Sequence, residues 1–172
     1  MARRAPDGVR IEAATMDDLD ALVDFWVALV ADQRAYGTHL LATENRATAR
    51  DVLSQYVATD RALVARLVGT DAPVGFVMYH PETGLYEEDA TRGVVDNVYV
   101  DPAHRERGIG SALLDAAENA LLDAGADVLS IAVMAENERA RALYEDRGYR
   151  PQRHILEKPG ESDTHTKEDG ER

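Results

Sequence analysis

The sequence predicts a mixed α/β fold, and three observations carry that prediction. β-rich runs alternate with stretches whose apolar residues recur at i, i+3 and i+4. A turn-forming segment splits two of the β-rich runs into a hairpin. One run leads straight into a glycine-containing basic loop and then into a second amphipathic stretch, a strand–loop–helix unit.

Val9 to Ala14 alternates and reads as the opening strand, and Thr15 with Asp18 three residues later forms a capping box that starts a helix. Leu19, Leu22, Trp26 and Leu29 give that helix one apolar face through about Asp32, with Trp26 in the core. Gln33 to Leu41, with Gly37, reads as a loop, and Thr43 to Ala58 as a second helix carrying Val52, Leu53 and Tyr56. Ala62 to Val68 and Pro73 to Tyr79 flank Gly69, Thr70 and Asp71, a hairpin pattern. Val94 to Val100 pairs next. A helix follows to about Gly125, its Leu113, Leu114, Ala117 and Leu121 on one buried face and Ser111 helping to cap its start. Val128 to Val133 is a further strand, Asn137 to Arg147 a helix closed by Gly148, and Tyr149 to Leu156 a last strand. The expected organisation is a short extension over 1–8, one domain over 9–159 and a disordered acidic tail over 160–172, where no apolar residue remains to be buried.

With 172 residues and 45% hydrophobic content the chain supports one domain with a real core. It has no cysteine, which excludes disulfides, thiolate metal sites and a cysteine nucleophile. No run approaches the ~20 apolar residues of a membrane span, so a cytoplasmic location without membrane partners is the simplest expectation. A net charge of −13 argues against general binding of nucleic acid. The acidity suits either a cationic substrate or a solvated surface. With only two lysines, Lys158 and Lys167, the balance resembles that of proteins from salt-accumulating microbes. The five histidines show no ligand spacing, and no metal site is expected.

Two motifs carry chemistry. In V-Y-V-D-P-A-H-R-E-R-G-I-G, Arg105, Gly108 and Gly110 form R-x-x-G-x-G ahead of a helix N-terminus. There glycine lets backbone N–H groups approach an anion and the peptide dipoles present a positive end. The spacing lacks the third glycine of a nicotinamide-binding loop, since position 113 is Leu. The second motif, N-x-x-A-x-x-x-Y-x-x-x-G-Y, comprises Asn137, Ala140, Tyr144, Gly148 and Tyr149 and begins 27 residues after Gly110.

Together the motifs resemble those of the GNAT superfamily of N-acetyltransferases, over about Val9 to Lys158 and most closely between Val94 and Tyr149. The resemblance implies a twisted, mostly antiparallel sheet of six to seven strands with splayed central strands, flanked by about four helices. It implies acetyl-CoA as cosubstrate. Arg105, Glu106, Arg107, Gly108, Ile109, Gly110 and Ser111 would then hold the pyrophosphate, mostly through backbone amides. Val98, Tyr99 and Val100 would bond the pantetheine arm, with the Val98 N–H facing the thioester oxygen as it gains charge. Asn137 would bond the same arm or simply cap its helix. Tyr144 would protonate the departing thiolate, or pack in the core. A phenol of pKa about 10 giving its proton to a thiolate of about 8.5 is uphill by roughly 2 kcal/mol.

Asp96 lies mid-strand between apolar residues, where a carboxylate is expensive. Strict alternation puts it on the face of Val94 and Val98. The stretch V-V-D-N-V-Y-V is similar to the polyamine and diamine branch of the family, in which an acid at this position takes the amine's proton. Asp96 is therefore read as the general base, or else as a structural hydrogen-bond acceptor. Neighbouring Asn97 departs from the paired acids of that branch. The expected function is direct acetyl transfer to a primary amine, preferably of a small molecule. A peptide N-terminal acetyltransferase and a non-catalytic acyl-CoA-binding module are the alternatives, and a homodimer is compatible with each.

Overall fold

The computed structural model describes residues 5–160. The first four residues of the expected extension and nearly all of the expected tail, 161–172, lie outside the described residues.

Strands β1 (Val9–Ala13), β2 (Ala62–Leu67), β3 (Pro73–Pro81), β4 (Arg92–Val100) and β5 (Val128–Ile131) form one sheet in chain order. Pairing is antiparallel until β5, which runs parallel to β4. Helices α1 (Leu19–Gln33) and α2 (Arg46–Ala58) precede the hairpin, α3 (Ile109–Asp123) joins β4 to β5, and α4 (Glu138–Asp146) follows. The four helices match the sequence reading. The expected six to seven strands do not: five form among the described residues, because Tyr149 to Leu156 pairs with nothing. The reason is local. Pro151 offers no N–H, and Arg150 to His154 supply no apolar alternation to bury, so Ile155 and Leu156 stay 85% and 92% exposed.

Each sheet face carries its own core layer. Leu19, Leu22 and Val23 of α1 and Leu53 and Val57 of α2 pack on Val64, Phe76, Met78 and Tyr99. On the other face Ile109, Leu113, Leu114, Ala117 and Leu121 of α3 pack on Ala65, Val77, Tyr79 and Val95, with Tyr144 of α4 beside them. Each fully buried leucine contributes about 1.5–3 kcal/mol. Two glycines permit close approach. A Cβ on Gly75 would lie 2.7 Å from the Tyr99 carbonyl oxygen, and one on Gly93 2.9 Å from Leu121 Cβ. Trp26 is only partly buried, at the edge of the first layer.

The start of α1 is anchored by charge. The Thr15 N–H donates to Asp18 Oδ2 at 2.8 Å, which closes the expected capping box. Asp18 also receives Arg66 Nη2 at 2.6 Å on both oxygens, and Arg66 Nε donates to Glu12 at 2.6 Å. Burial pushes the Asp18 carboxyl up, but Arg66 and Thr15 outweigh it and hold it below the ordinary carboxylate value.

Candidate active site

β4 lies between two partners and loses one of them halfway along. Its parallel pairing with β5 covers Arg92 to Val95 opposite Val128 to Ile131 and then stops, whereas pairing with β3 continues to Val100. The Asp101 N–H donates to the Val74 carbonyl at 2.9 Å, so residue 101 hydrogen-bonds toward β3. By antiparallel alternation the peptide groups of Val98 and Val100 then face the side that β5 has vacated. The Val100 carbonyl accepts from Arg105 Nε at 2.9 Å there. Beyond Val95 this side of β4 is therefore without a strand partner, next to the end of the sheet, with only its Val100 carbonyl taken by Arg105.

A register slip at the same place redirects Asp96. Met78 pairs with Asn97 but Tyr79 pairs with Val95, leaving Asp96 as an extra residue on β4. Val95 and Val98 both pack in the α3 layer although three positions separate them. Asp96 instead bonds Tyr56 of α2 and His80 of β3. The expectation that Asp96 shares a face with Val98 is thus corrected: the bulge reverses alternation between them. Tyr99 points its ring into the α1 layer, where it packs against Phe25, and leaves only its backbone for a ligand.

The basic loop before α3 sends its arginines in different directions. Asp101 caps a short 3₁₀ turn by accepting from the Ala103 N–H, after which Glu106 at φ 64° and Gly108 at φ 79° turn the chain into α3. Left-handed residues at such spacing aim successive N–H groups into one concavity. The first helical hydrogen bond runs from the Ala112 N–H to the Gly108 carbonyl at 3.0 Å. The N–H groups of Ile109, Gly110 and Ser111 lie ahead of it, at the positive end of the helix dipole. Gly108 is the N-cap, so Ser111 sits inside the first turn and does not cap the helix, a second correction. Arg105 turns inward, bonding Asp32 at 3.1 Å and covering the Tyr99 ring at 5.2 Å. Glu106 reaches Arg139 at 3.4 Å, while Arg107 stands exposed on the loop.

Asn137 caps α4, its Oδ1 accepting from the Ala140 N–H at 3.1 Å. Tyr144 is buried against Tyr149 edge to face at 6.0 Å, and burial pushes its phenol up to about 12. Arg147 pairs with Asp115 and Glu118 of α3, and Tyr149 donates to Glu118 at 3.1 Å, which ties α4 to α3. Asp96 and Tyr144 therefore approach β4 from opposite faces of the sheet.

Two neighbours of Asp96 carry no motif in the sequence. The Tyr56 hydroxyl donates to Asp96 Oδ2 at 3.0 Å, and His80 Nδ1 lies 2.7 Å from the same oxygen. Burial, then the Asp96 charge, pushes the Tyr56 phenol up to about 12. One turn along α2 lies an apolar recess of about 180 Å³, lined by Trp26, Leu40, Val52, Leu53 and Met78. Among the described residues no group of three or more His, Asp or Glu could hold a metal ion, and no helix is long and apolar enough to cross a membrane.

Comparison with known proteins agrees with this geometry. The family described as acetyltransferase (GNAT) matches residues 26–149. A mycothiol acetyltransferase of Clavibacter sepedonicus is 32% identical over 148 residues, 86% of this chain and 45% of its own length. The chain thus spans about half the length of the curated relatives it matches. Among solved structures, a GCN5-related N-acetyltransferase from Ralstonia eutropha JMP134 aligns with a TM-score of 0.71 at 25% identity, covering 88% of this chain and 99% of its own. An aminoglycoside N-acetyltransferase in complex with CoA aligns with a TM-score of 0.66 at 12% identity, over 93% and 99% of the two chains, and shares the fold.

Proposed function

The chain belongs to the GNAT acetyltransferase family, and from that premise we propose that it transfers an acetyl group from acetyl-CoA to a primary amine of a small molecule by direct attack in a ternary complex. The observation that carries this reading is a pair of open backbone edges: the N–H groups of Ile109 to Ser111 and, on the side vacated by β5, the Val98 peptide and the Val100 N–H. The first set suits a diphosphate and the second an extended amide-bearing arm, which together describe coenzyme A. Acetyl-CoA supplies the activated acyl group.

The chain's own residues supply the rest. Glu106 to Ser111 hold the diphosphate through backbone nitrogen, and Arg107 adds charge at the mouth of the loop. Arg105 serves by fixing the loop to α1 and β4. Asn137 supports the cofactor side through the start of α4, its side-chain oxygen being engaged as a cap. The Val98 N–H stabilises the carbonyl oxygen as negative charge develops. Asp96 and the groups bonded to it take the ammonium proton on the α2 face, and Tyr144 returns a proton to the sulfur from the α3 face. The Tyr144 phenol, pushed up to about 12, keeps that proton at any physiological pH.

A small acceptor is favoured by the 180 Å³ recess, which admits a short apolar group rather than a folded partner. Relatives named mycothiol acetyltransferase point the same way. The retained Asp96 and Tyr144 speak against a non-catalytic acyl-CoA module. Peptide N-termini remain the alternative acceptors, and the net charge of −13 favours work at high salt. The test measures release of CoA thiol from acetyl-CoA with diamines, polyamines, amino sugars, aminoglycosides and peptides, at low and molar salt. Saturable turnover with one small-amine class is expected. Turnover only with peptides replaces the acceptor class, and absence of turnover with every acceptor refutes the reading.

A further inference from the structure

Resting on that reading, we infer that the atom which takes the proton from the incoming amine is His80 Nε2, with Asp96 and Tyr56 acting as positioning residues.

The geometry around Asp96 Oδ2 makes the case. That oxygen is 2.7 Å from His80 Nδ1 and 3.0 Å from the Tyr56 hydroxyl, and the hydroxyl oxygen itself lies 3.2 Å from His80 Nδ1, where it can share the Nδ1 hydrogen as a second acceptor. An ionised carboxylate can only accept, so both neighbours must donate to it. Nδ1 therefore carries the hydrogen, and the lone pair of the neutral imidazole is left on Nε2. This is the arrangement in which a carboxylate fixes the tautomer and ring orientation of a histidine base. Tyr56 completes it in two ways. Its hydroxyl occupies the second acceptor direction of Oδ2, and its ring meets the imidazole edge to face at a centroid distance of 6.2 Å. The two contacts hold the ring from adjacent sides.

Access favours the imidazole. The His80 side chain is 31% exposed and the Asp96 side chain 23%, and the carboxylate oxygen nearer the pair is already committed to two donors. Position favours it as well. His80 pairs with Val94 across β3 and β4, one residue before β5 leaves the sheet at Val95. It lies on the face that carries Met78, part of the apolar recess. The proton balance closes: the ammonium gives one proton to Nε2, the neutral nitrogen forms the new C–N bond, and the imidazolium keeps its Nδ1 hydrogen toward Asp96. Asp96 on β4, Tyr56 on α2 and the Arg61 charge, which reaches Tyr56 from the head of β2, are the ionisable groups around this ring.

The experiment uses the whole chain, acetyl-CoA and whichever amine of the panel above gives the fastest CoA release. A base that must be neutral to take the amine's proton gives kcat/KM a limb that falls as pH falls. The wild type is expected to show such a limb in kcat/KM. His80→Gln removes that limb and lowers kcat by about 10²- to 10⁴-fold, while the Kd for coenzyme A stays within about twofold. Asp96→Asn lowers kcat but keeps the limb, since the imidazole remains. His80→Asn is read identically should the glutamine disturb folding. In the unaltered protein, nitrogen-detected NMR of His80 at pH 8 shows hydrogen on Nδ1 and none on Nε2. An unchanged limb in His80→Gln, or a limb lost in Asp96→Asn and kept in His80→Gln, overturns the inference, as does hydrogen on Nε2. Absence of turnover in the wild type with every amine, by contrast, refutes the acetyl-transfer reading itself.

Discussion

Tyr144→Phe tests the proton returned to sulfur. The substitution removes one oxygen from a side chain that is 9% exposed and leaves the ring, with its edge-to-face contact to Tyr149, in place. Burial that pushes the phenol up to about 12 makes it a weak acid beside a thiol of about 8.5, so a complete transfer from Tyr144 is uphill by about 5 kcal/mol. That cost exceeds the roughly 2 kcal/mol of an unburied phenol, and it limits how far the proton travels in the transition state. The gain belongs at the lower end of general-acid effects, about 10²-fold, and appears in kcat while the acetyl-CoA KM moves less than about threefold. Because the phenol stays protonated up to about pH 11, kcat has no basic limb from this group near pH 8 or 9. Steady-state kinetics from pH 6 to 10 on wild type and variant check both statements. An unchanged kcat, or a basic limb near pH 9 that the variant abolishes, refutes the reasoning.

Arg105→Ala is expected to weaken thermal stability, since it loses Asp32, the Val100 carbonyl and the Tyr99 ring, whereas Arg107→Ala leaves the melting temperature unchanged and raises the Kd for coenzyme A several-fold; calorimetric melting and titration separate them. Asp18→Ala leaves Arg66 with Glu12 and the Asp71 carbonyl alone and opens the capping box, costing about 1–3 kcal/mol in urea unfolding, with partial recovery in the Arg66→Met double variant. The same pair sets an acid limit. The Asp18 carboxyl is held below its unfolded value, so its contribution is complete above about pH 4 and is lost as pH falls through the lower folded value; the wild-type urea midpoint drops there and that of Asp18→Asn drops less. Gly75→Ala drives a methyl to 2.7 Å from the Tyr99 carbonyl oxygen and costs about 1–3 kcal/mol in the same assay.

The elements that proved legible are those whose signal is local. The capping box at Thr15, the buried stripe from Leu113 to Leu121 and the glycine turn at Gly108 each follow from residues within one or two turns of one another. The features that sequence reading missed depend on distant partners. Nothing near Asp96 announces that β3 will pair with Asn97 and Val95 and skip it, so strict alternation assigned it to the wrong face. Arg105 also carries a partner that its motif does not announce, Asp32, 73 residues away. Tyr56 reads as part of an amphipathic helix and His80 as the end of a strand, and only the closed sheet joins them to Asp96. A polar residue beside Pro81 at the end of an apolar run was the one available hint for His80. Tyr149 to Leu156 misled through its apolar ends, with the interior from Arg150 to His154 weighed too lightly.

The bulge at Asp96 breaks the two-residue rhythm of β4. One surplus residue sets Asp96 toward α2 while Val95 and Val98 both keep to the α3 layer. Deleting Asn97 would remove the surplus residue and place Asp96 directly opposite Met78, while Val98 and Tyr99 keep their partners Val77 and Phe76 and their present faces. A deletion at that one position is therefore expected to leave both core layers intact and to disturb only the bonds that join Asp96 to His80 and Tyr56.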